Sequence, residues 1–162
     1  MRAIILSDSH NNAAACERAI ASVGEKNIDM IIHLGDIARD VDYLECCYYP
    51  IKVVSVLGNN DFLRSGDHER VIEFDGHRIF ICHGHTLGVN YGTERMESAA
   101  RQKGCEAAFF GHTHHSMMER RDDGFLILNP GSVSQPRGGN PSFAVLETDD
   151  GKLKAAIIDW VL

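Results

Sequence analysis

The chain lacks three things: an excess of positive charge, a long apolar run and any C-x-x-C pair. Its 16 Lys and Arg stand against 23 Asp and Glu, a formal net charge of −7. Non-specific nucleic-acid binding needs a basic face to neutralise phosphates, and none is evident. Apolar runs such as Met30-Ile31-Ile32 fall far short of the roughly 20 residues that span a bilayer. No basic stretch, apolar core and cleavage site precede the strand-like Ala3–Leu6, so no signal peptide is expected. The five cysteines (Cys16, Cys46, Cys47, Cys82, Cys105) are odd in number. That excludes a complete disulfide framework and argues against a structural zinc site of cysteines. It fits a reducing cytoplasm, with each Cys serving as a small buried hydrophobe.

What is present is an ordinary globular composition, 44% apolar and 24% charged over 162 residues. One domain spanning 1–162 is expected. Histidine stands out, with nine residues. Six of them fall at His83 and His85, at His112, His114 and His115, and at His10 beside Asp8. Packing alone would scatter them.

Ala3–Leu6, Met30–Leu34 and Lys52–Leu57 read as buried strands. Helices are expected over Ala13–Glu25, capped by Asn11-Asn12, and over Asp40–Cys47. This alternation predicts a parallel α/β core. Beyond it come a hairpin of Arg70–Phe74 and His77–Cys82, a helix over Glu94–Lys103 and a short buried strand at Ala107–Phe110. Two further hairpins follow, Met117–Arg121 with Phe125–Leu128 and Ser142–Glu147 with Lys152–Asp159. The second half therefore reads as mainly antiparallel.

Chemistry-bearing residues follow the strands. Asp8 and His10 follow the first, Asp36 the second, and Asn59, Asn60 and Asp61 the third. His83 and His85 follow His77–Cys82, and His112 and His114 follow Ala107–Phe110. Ligands of open α/β sheets bind at the carboxyl ends of strands, so these clusters are expected to converge. Two carboxylates, one amide and four imidazoles form a mixed ligand set. It suits Mn²⁺, Fe²⁺, Zn²⁺ or Co²⁺ better than Mg²⁺ or Ca²⁺. Seven ligands exceed one tetrahedral zinc and suit two ions about 3.5–4 Å apart that share a carboxylate. Singly, D-x-H or Gly35-Asp36 is an ordinary cap or turn; together and in this order the clusters are hard to assign to packing.

The order D-x-H, G-D, G-N-x-D, H-G-H and G-H-x-H, from Asp8 to His114, resembles the calcineurin-like metallophosphoesterase superfamily. The short length, His83-Gly84-His85 and Asn129-Pro130-Gly131-Ser132 resemble its small bacterial and archaeal phosphodiesterase branch, to which the retromer-subunit relatives are related. The resemblance implies a four-layer α-β-β-α sandwich of two facing mixed sheets. It implies one ion held by Asp8, His10, Asp36 and His114, and another held by Asp36, Asn59, His83 and His112, with Asp36 bridging. Mn²⁺ is the favoured metal, with Fe²⁺, Zn²⁺, Co²⁺ or Ni²⁺ as alternatives. The reaction it implies is hydrolysis of a small phosphodiester by attack of a metal-bridging hydroxide.

One departure concerns position 60. Many members carry His after the ligand Asn as proton donor to the leaving group; here it is Asn60, which cannot act as a general acid near neutral pH. Losing such help typically forfeits ~10²–10⁴-fold in rate. Asp61 is the candidate partner at that position. Arg137, on the Gly- and Ser-rich loop Asn129–Gly139, is a candidate phosphate contact, the alternative being a structural turn. His85 and His115 match no ligand position. Tyr48 and Tyr49 are candidates for a contact in a homo-oligomer, with core packing as the alternative. Two other readings stand beside the phosphodiesterase: a phosphomonoesterase acting on nucleotides or phosphoproteins, and a non-catalytic scaffold, which intact ligand positions disfavour.

Overall fold

A computed structural model describes residues 1–160; the last two residues of the expected 1–162 unit lie outside it. Two five-stranded sheets form the centre. In the first, β1 (Arg2–Leu6), β2 (Met30–His33) and β3 (Lys52–Ser55) run parallel. The hairpin β9 (Ser142–Asp149) and β10 (Lys152–Asp159) closes the other side, β9 antiparallel to β1. The second sheet has the order β4 (Glu69–Phe74), β5 (His77–Cys82), β6 (Ala107–Phe109), β8 (Leu126–Pro130), β7 (Ser116–Arg120).

Strand alternation decides which layer each residue joins. Ala3 and Ile5 turn inward with Met30 and Ile32, against Phe74, Ile81, Phe109 and Leu128 of the second sheet. Ile4, Leu6 and Ile31 turn outward onto Ala15, Ala19 and Ile20 of α1 (Ala13–Val23) and Leu44 of α2 (Ala38–Cys47). Phe80, Ala108 and Ile127 face outward on the other side, against Met96 and Ala100 of α3 (Glu94–Gln102). The result is the expected α-β-β-α sandwich.

Several expectations shift. Helix α1 stops at Val23 rather than Glu25, and a separate turn covers Glu25–Asn27. Helix α2 begins two residues before Asp40. The second half holds the three expected antiparallel hairpins, β4–β5, β7–β8 and β9–β10, but β5, β6 and β8 at the centre of the second sheet run parallel, which the sequence pattern does not predict. The reason is burial. Ala107, Ala108 and Phe109 are all fully buried. A strand covered on both faces takes parallel partners under a crossover helix, here α3.

Candidate metal centre

Five strand ends meet at one point between the sheets. The backbone there is unusual. Asp8 (φ 53), His10 (φ 49), Asp36 (φ 73), His112 (φ 66) and His114 (φ 59) are all left-handed. Such conformations are uncommon outside glycine and cluster where the surrounding structure imposes them for function. They turn the chain sharply after β1, β2 and β6 and bring those side chains together.

Packing of the turns is tight. A Cβ on Gly111 would lie 2.0 Å from Ser7 Oγ and 2.8 Å from Asp8 Oδ2. The turn carrying His112 and His114 therefore sits directly on Asp8, and the His112 amide donates to Asp8 Oδ2 at 3.0 Å.

All seven expected ligands are brought together. The ligand atoms of Asp8, His10 and His114 lie within 4.8 Å of one another, and so do those of Asp8, Asp36 and His83. Asn59 Oδ1 stands 3.0 Å from His83 Nε2 and 2.9 Å from His112 Nδ1. Asp36 is the expected bridge, yet Asp8 is the carboxylate common to both compact groups. Asp36 Oδ2 still approaches His10 Nε2 at 3.5 Å, so both carboxylates lie between the two groups.

The hydrogen-bond partners fix which ring atoms are free. His83 Nδ1 donates to the Leu34 carbonyl at 2.8 Å, and His114 Nδ1 donates to the Gln135 carbonyl at 2.5 Å. Each leaves a bare Nε2 pointing inward, the arrangement typical of metal-ligating histidines. These lone pairs meet other acceptors. His114 Nε2 faces Asp8 Oδ1 at 3.3 Å, and His83 Nε2 faces Asn59 Oδ1. His10 Nε2 and His114 Nε2 are 3.1 Å apart. Asp8 Oδ1 is buried and has no hydrogen-bond partner among the described residues. Acceptors facing acceptors in a buried site repel unless a cation lies among them, and an unsatisfied buried carboxylate oxygen is costly. The donor set therefore fits divalent cations.

Taken as protein groups alone, these side chains titrate on one another. Burial pushes the Asp8 carboxyl up, but the close approach of His114, the charge of His83 and the Ser7 hydroxyl outweigh it and hold Asp8 below the usual carboxylate range. The same Asp8 contact raises His114. His112 is lowered, first by burial and then by His83. His85 is lowered by burial and by His83, His68 and His112, favouring neutral rings suited to metal.

Positions 60 and 61 differ from expectation. Asn60 grips Asp36, its backbone amide donating to Oδ1 at 2.9 Å and its side-chain amide to Oδ2 at 2.5 Å. Asp61 spends both oxygens on backbone amides, Oδ1 on Ala38 (2.6 Å) and Oδ2 on Gly58 (2.8 Å). These contacts brace the loop that carries position 60. Arg137 is exposed, its amide donating to the His114 carbonyl at 3.3 Å, and its positive charge opposes protonation of His112 and His114. His85 lies against the cluster, 5.4 Å from the His83 ring, whereas His115 is exposed. Tyr48 packs on the α1 side of the core, and Tyr49 is 85% exposed.

Sequence reasoning missed the supports. Buried Asn129 donates to the Gly111 carbonyl (2.9 Å) and Thr113 Oγ1 (3.0 Å), bracing the His112–His114 turn. Ser132 Oγ and Ser134 Oγ donate to the carbonyls of Asp8 and Ser9, each at 2.7 Å. Below them, His33 Nδ1 accepts from the Gly35 amide, leaving Nε2–H for Ser9 Oγ at 3.1 Å, and Ser9 Oγ donates to Asp40 Oδ2 at 2.5 Å. Asn129 and Ser132 belong to the N-P-G-S segment, which was the available signal.

Known proteins resemble the chain over most of its length. "Phosphodiesterase MJ0936" of Methanocaldococcus jannaschii is 26% identical, over 98% of this chain and 100% of that protein. The solved structure of a predicted phosphoesterase from Streptococcus pneumoniae superposes with a TM-score of 0.77 at 26% identity, over 98% of this chain and 88% of that one. A zinc-complexed Vps29 of Entamoeba histolytica shares the fold, with a TM-score of 0.76 at 23% identity, over 98% and 99% of the two chains. Residues 1–151 match the calcineurin-like phosphoesterase superfamily domain, and the chain belongs to that family.

Proposed function

We propose that the chain acts as a single-domain, cytoplasmic phosphodiesterase that works with two divalent cations. The observation that supports the reading is the set of donor atoms on His83, His114, Asn59 and Asp8 that converge on one another, an arrangement divalent cations among them would satisfy. The mixed oxygen and imidazole set favours Mn²⁺, with Zn²⁺, named in the Entamoeba histolytica Vps29 structure, among the alternatives. Five free cysteines support the reducing compartment.

Two such cations supply Lewis acidity and a nucleophilic hydroxide at neutral pH. The chain's own residues position and orient. Asn60 holds both oxygens of Asp36, and the Leu34 and Gln135 carbonyls hold the His83 and His114 rings. Asn59 and Asn60 are exposed and mark the open side through which a diester enters. Arg137 stands near His112 and His114, where an anionic substrate gains from its charge. With its amide on Asp36, Asn60 donates no proton to a leaving group. Diesters with good leaving groups are therefore the better substrates.

Chelator-stripped protein should be inactive on bis(p-nitrophenyl) phosphate and regain activity with Mn²⁺. The matching monoester, p-nitrophenyl phosphate, should be slower. Full activity in the metal-free protein would overturn the mechanism, and a preference for the monoester would reassign the substrate class.

A further inference from the structure

Beside the metal centre a groove of about 450 Å³ opens between the loop after β3 and the start of α2. That volume lies within the usual range for small-molecule sites. Asn11, Ile37, Arg39, Asn60, Phe62 and Leu63 line it. Phe62 is 80% and Leu63 92% exposed, an adjacent apolar pair at the surface. The groove shares a wall with the site, because Asn60, which lines it, also donates its side-chain amide to Asp36 Oδ2.

The groove is pre-formed. Asp61 ties its two walls together, accepting from Ala38 on one side and Gly58 on the other. Ile37 is left-handed (φ 79), and a β-branched residue in that region is a true outlier. Strain of this kind is retained at ligand clamps. An aromatic ring and a leucine offer an apolar face, the Asn11 and Asn60 amides offer hydrogen bonds, and Arg39 adds a cation able to lie over a π-system.

We propose that this groove holds the ester substituent that stays on phosphorus, and that this substituent is aromatic and nucleoside-sized. The proposal rests on the phosphodiesterase reading above. A phosphoryl group at the metal centre places one of its two ester arms beside Asn60, and Phe62 stacks on the ring that arm carries.

Two diesters with the same leaving group test it: thymidine 5′-(p-nitrophenyl) phosphate and methyl p-nitrophenyl phosphate. In the Mn²⁺-loaded protein, kcat/KM for the thymidine ester should exceed that for the methyl ester by ~10-fold, the lower end of what one aromatic stack contributes. In F62A/L63A the ratio should fall toward one. Calorimetric titration with thymidine 5′-monophosphate reads the groove without turnover, and binding should weaken by ~10-fold in the variant. A wild-type ratio near one with equal monophosphate binding in both proteins overturns the proposal. If neither diester is hydrolysed yet the variant still loses monophosphate binding, the groove stands and the phosphodiesterase reading falls. If the wild type sediments as a dimer and the variant as a monomer with unchanged monophosphate binding, the apolar face belongs to a second copy and the proposal is overturned.

Discussion

Gly58→Ala and Gly76→Ala separate two costs of adding a methyl group. Gly58 lacks a left-handed backbone, so alanine there meets no conformational penalty. Its Cβ, however, would lie 2.6 Å from Asp36 N, 2.6 Å from Asp36 Oδ1 and 2.8 Å from Asp36 Cα. Carbon contacts settle at about 3.5–4.0 Å, so the turns carrying Asp36 and Asn59 must part by ~1 Å. Two of the three atoms are backbone, and no flexible end can swing away. Overpacking of this kind costs about 1–3 kcal/mol, and a displacement of ~1 Å at a catalytic group costs ~10²-fold in rate. Gly76, in the β4–β5 turn, is the reverse case: φ is 86 and, among the described residues, nothing lies within 4 Å of the added carbon. Alanine there bears only the left-handed penalty of about 1–2 kcal/mol, a fall in Tm of roughly 2–8 °C. The two variants should melt at similar temperatures in metal-free buffer. With Mn²⁺, Gly58→Ala should lose about 100-fold in kcat/KM on bis(p-nitrophenyl) phosphate, and Gly76→Ala less than two-fold. A Gly58→Ala enzyme within two-fold of wild type would refute the claim that this contact sets the position of Asp36.

Asp36→Asn should reduce bound metal below one ion per chain by elemental analysis and cut activity by orders of magnitude; two retained ions would pass the bridging role to Asp8 alone. Asn60→His should slow every diester, poor and good leaving groups alike, because it removes the side-chain grip on Asp36; a selective gain on alkyl esters would restore the general-acid argument. Arg137→Ala should raise KM for anionic diesters at unchanged metal content, and native KM and kcat would make its loop scaffolding only. Asn129→Ala should weaken Mn²⁺ binding by ~10–100-fold in a metal titration, as loss of a supporting contact does, whereas unchanged affinity would show that the His112–His114 turn holds itself.

The metal-type residues were legible because each follows a buried strand, and strand ends of an α/β sheet share an edge. The first sheet's parallel strands and all three hairpins were legible for a related reason, since short-range periodicity and turn residues specify them. The pairing of β6 with β8 was not. Hairpin β7–β8 announces itself locally, but which of its strands lies against Ala107–Phe109 depends on contacts distant in sequence. The roles of Asn60 and Asp61 were hidden likewise. Both are ordinary turn residues until Asp36, Ala38 and Gly58 are brought beside them. Ile37 gave no signal at all, because nothing local in an isoleucine favours a left-handed backbone.

The left-handed backbone at Asp8, His10, Asp36, His112 and His114 also bears on how such a chain drifts. At these five positions glycine is the residue the backbone prefers and the ligand is the residue the chemistry demands. Replacing His10, His112 or His114 with glycine would erase a proposed ligand and at the same time release about 1 kcal/mol or more of local strain. Selection for stability and selection for catalysis thus pull in opposite directions at the same residues. Once hydrolysis ceases to be useful, backbone strain alone would favour glycine at these three histidines.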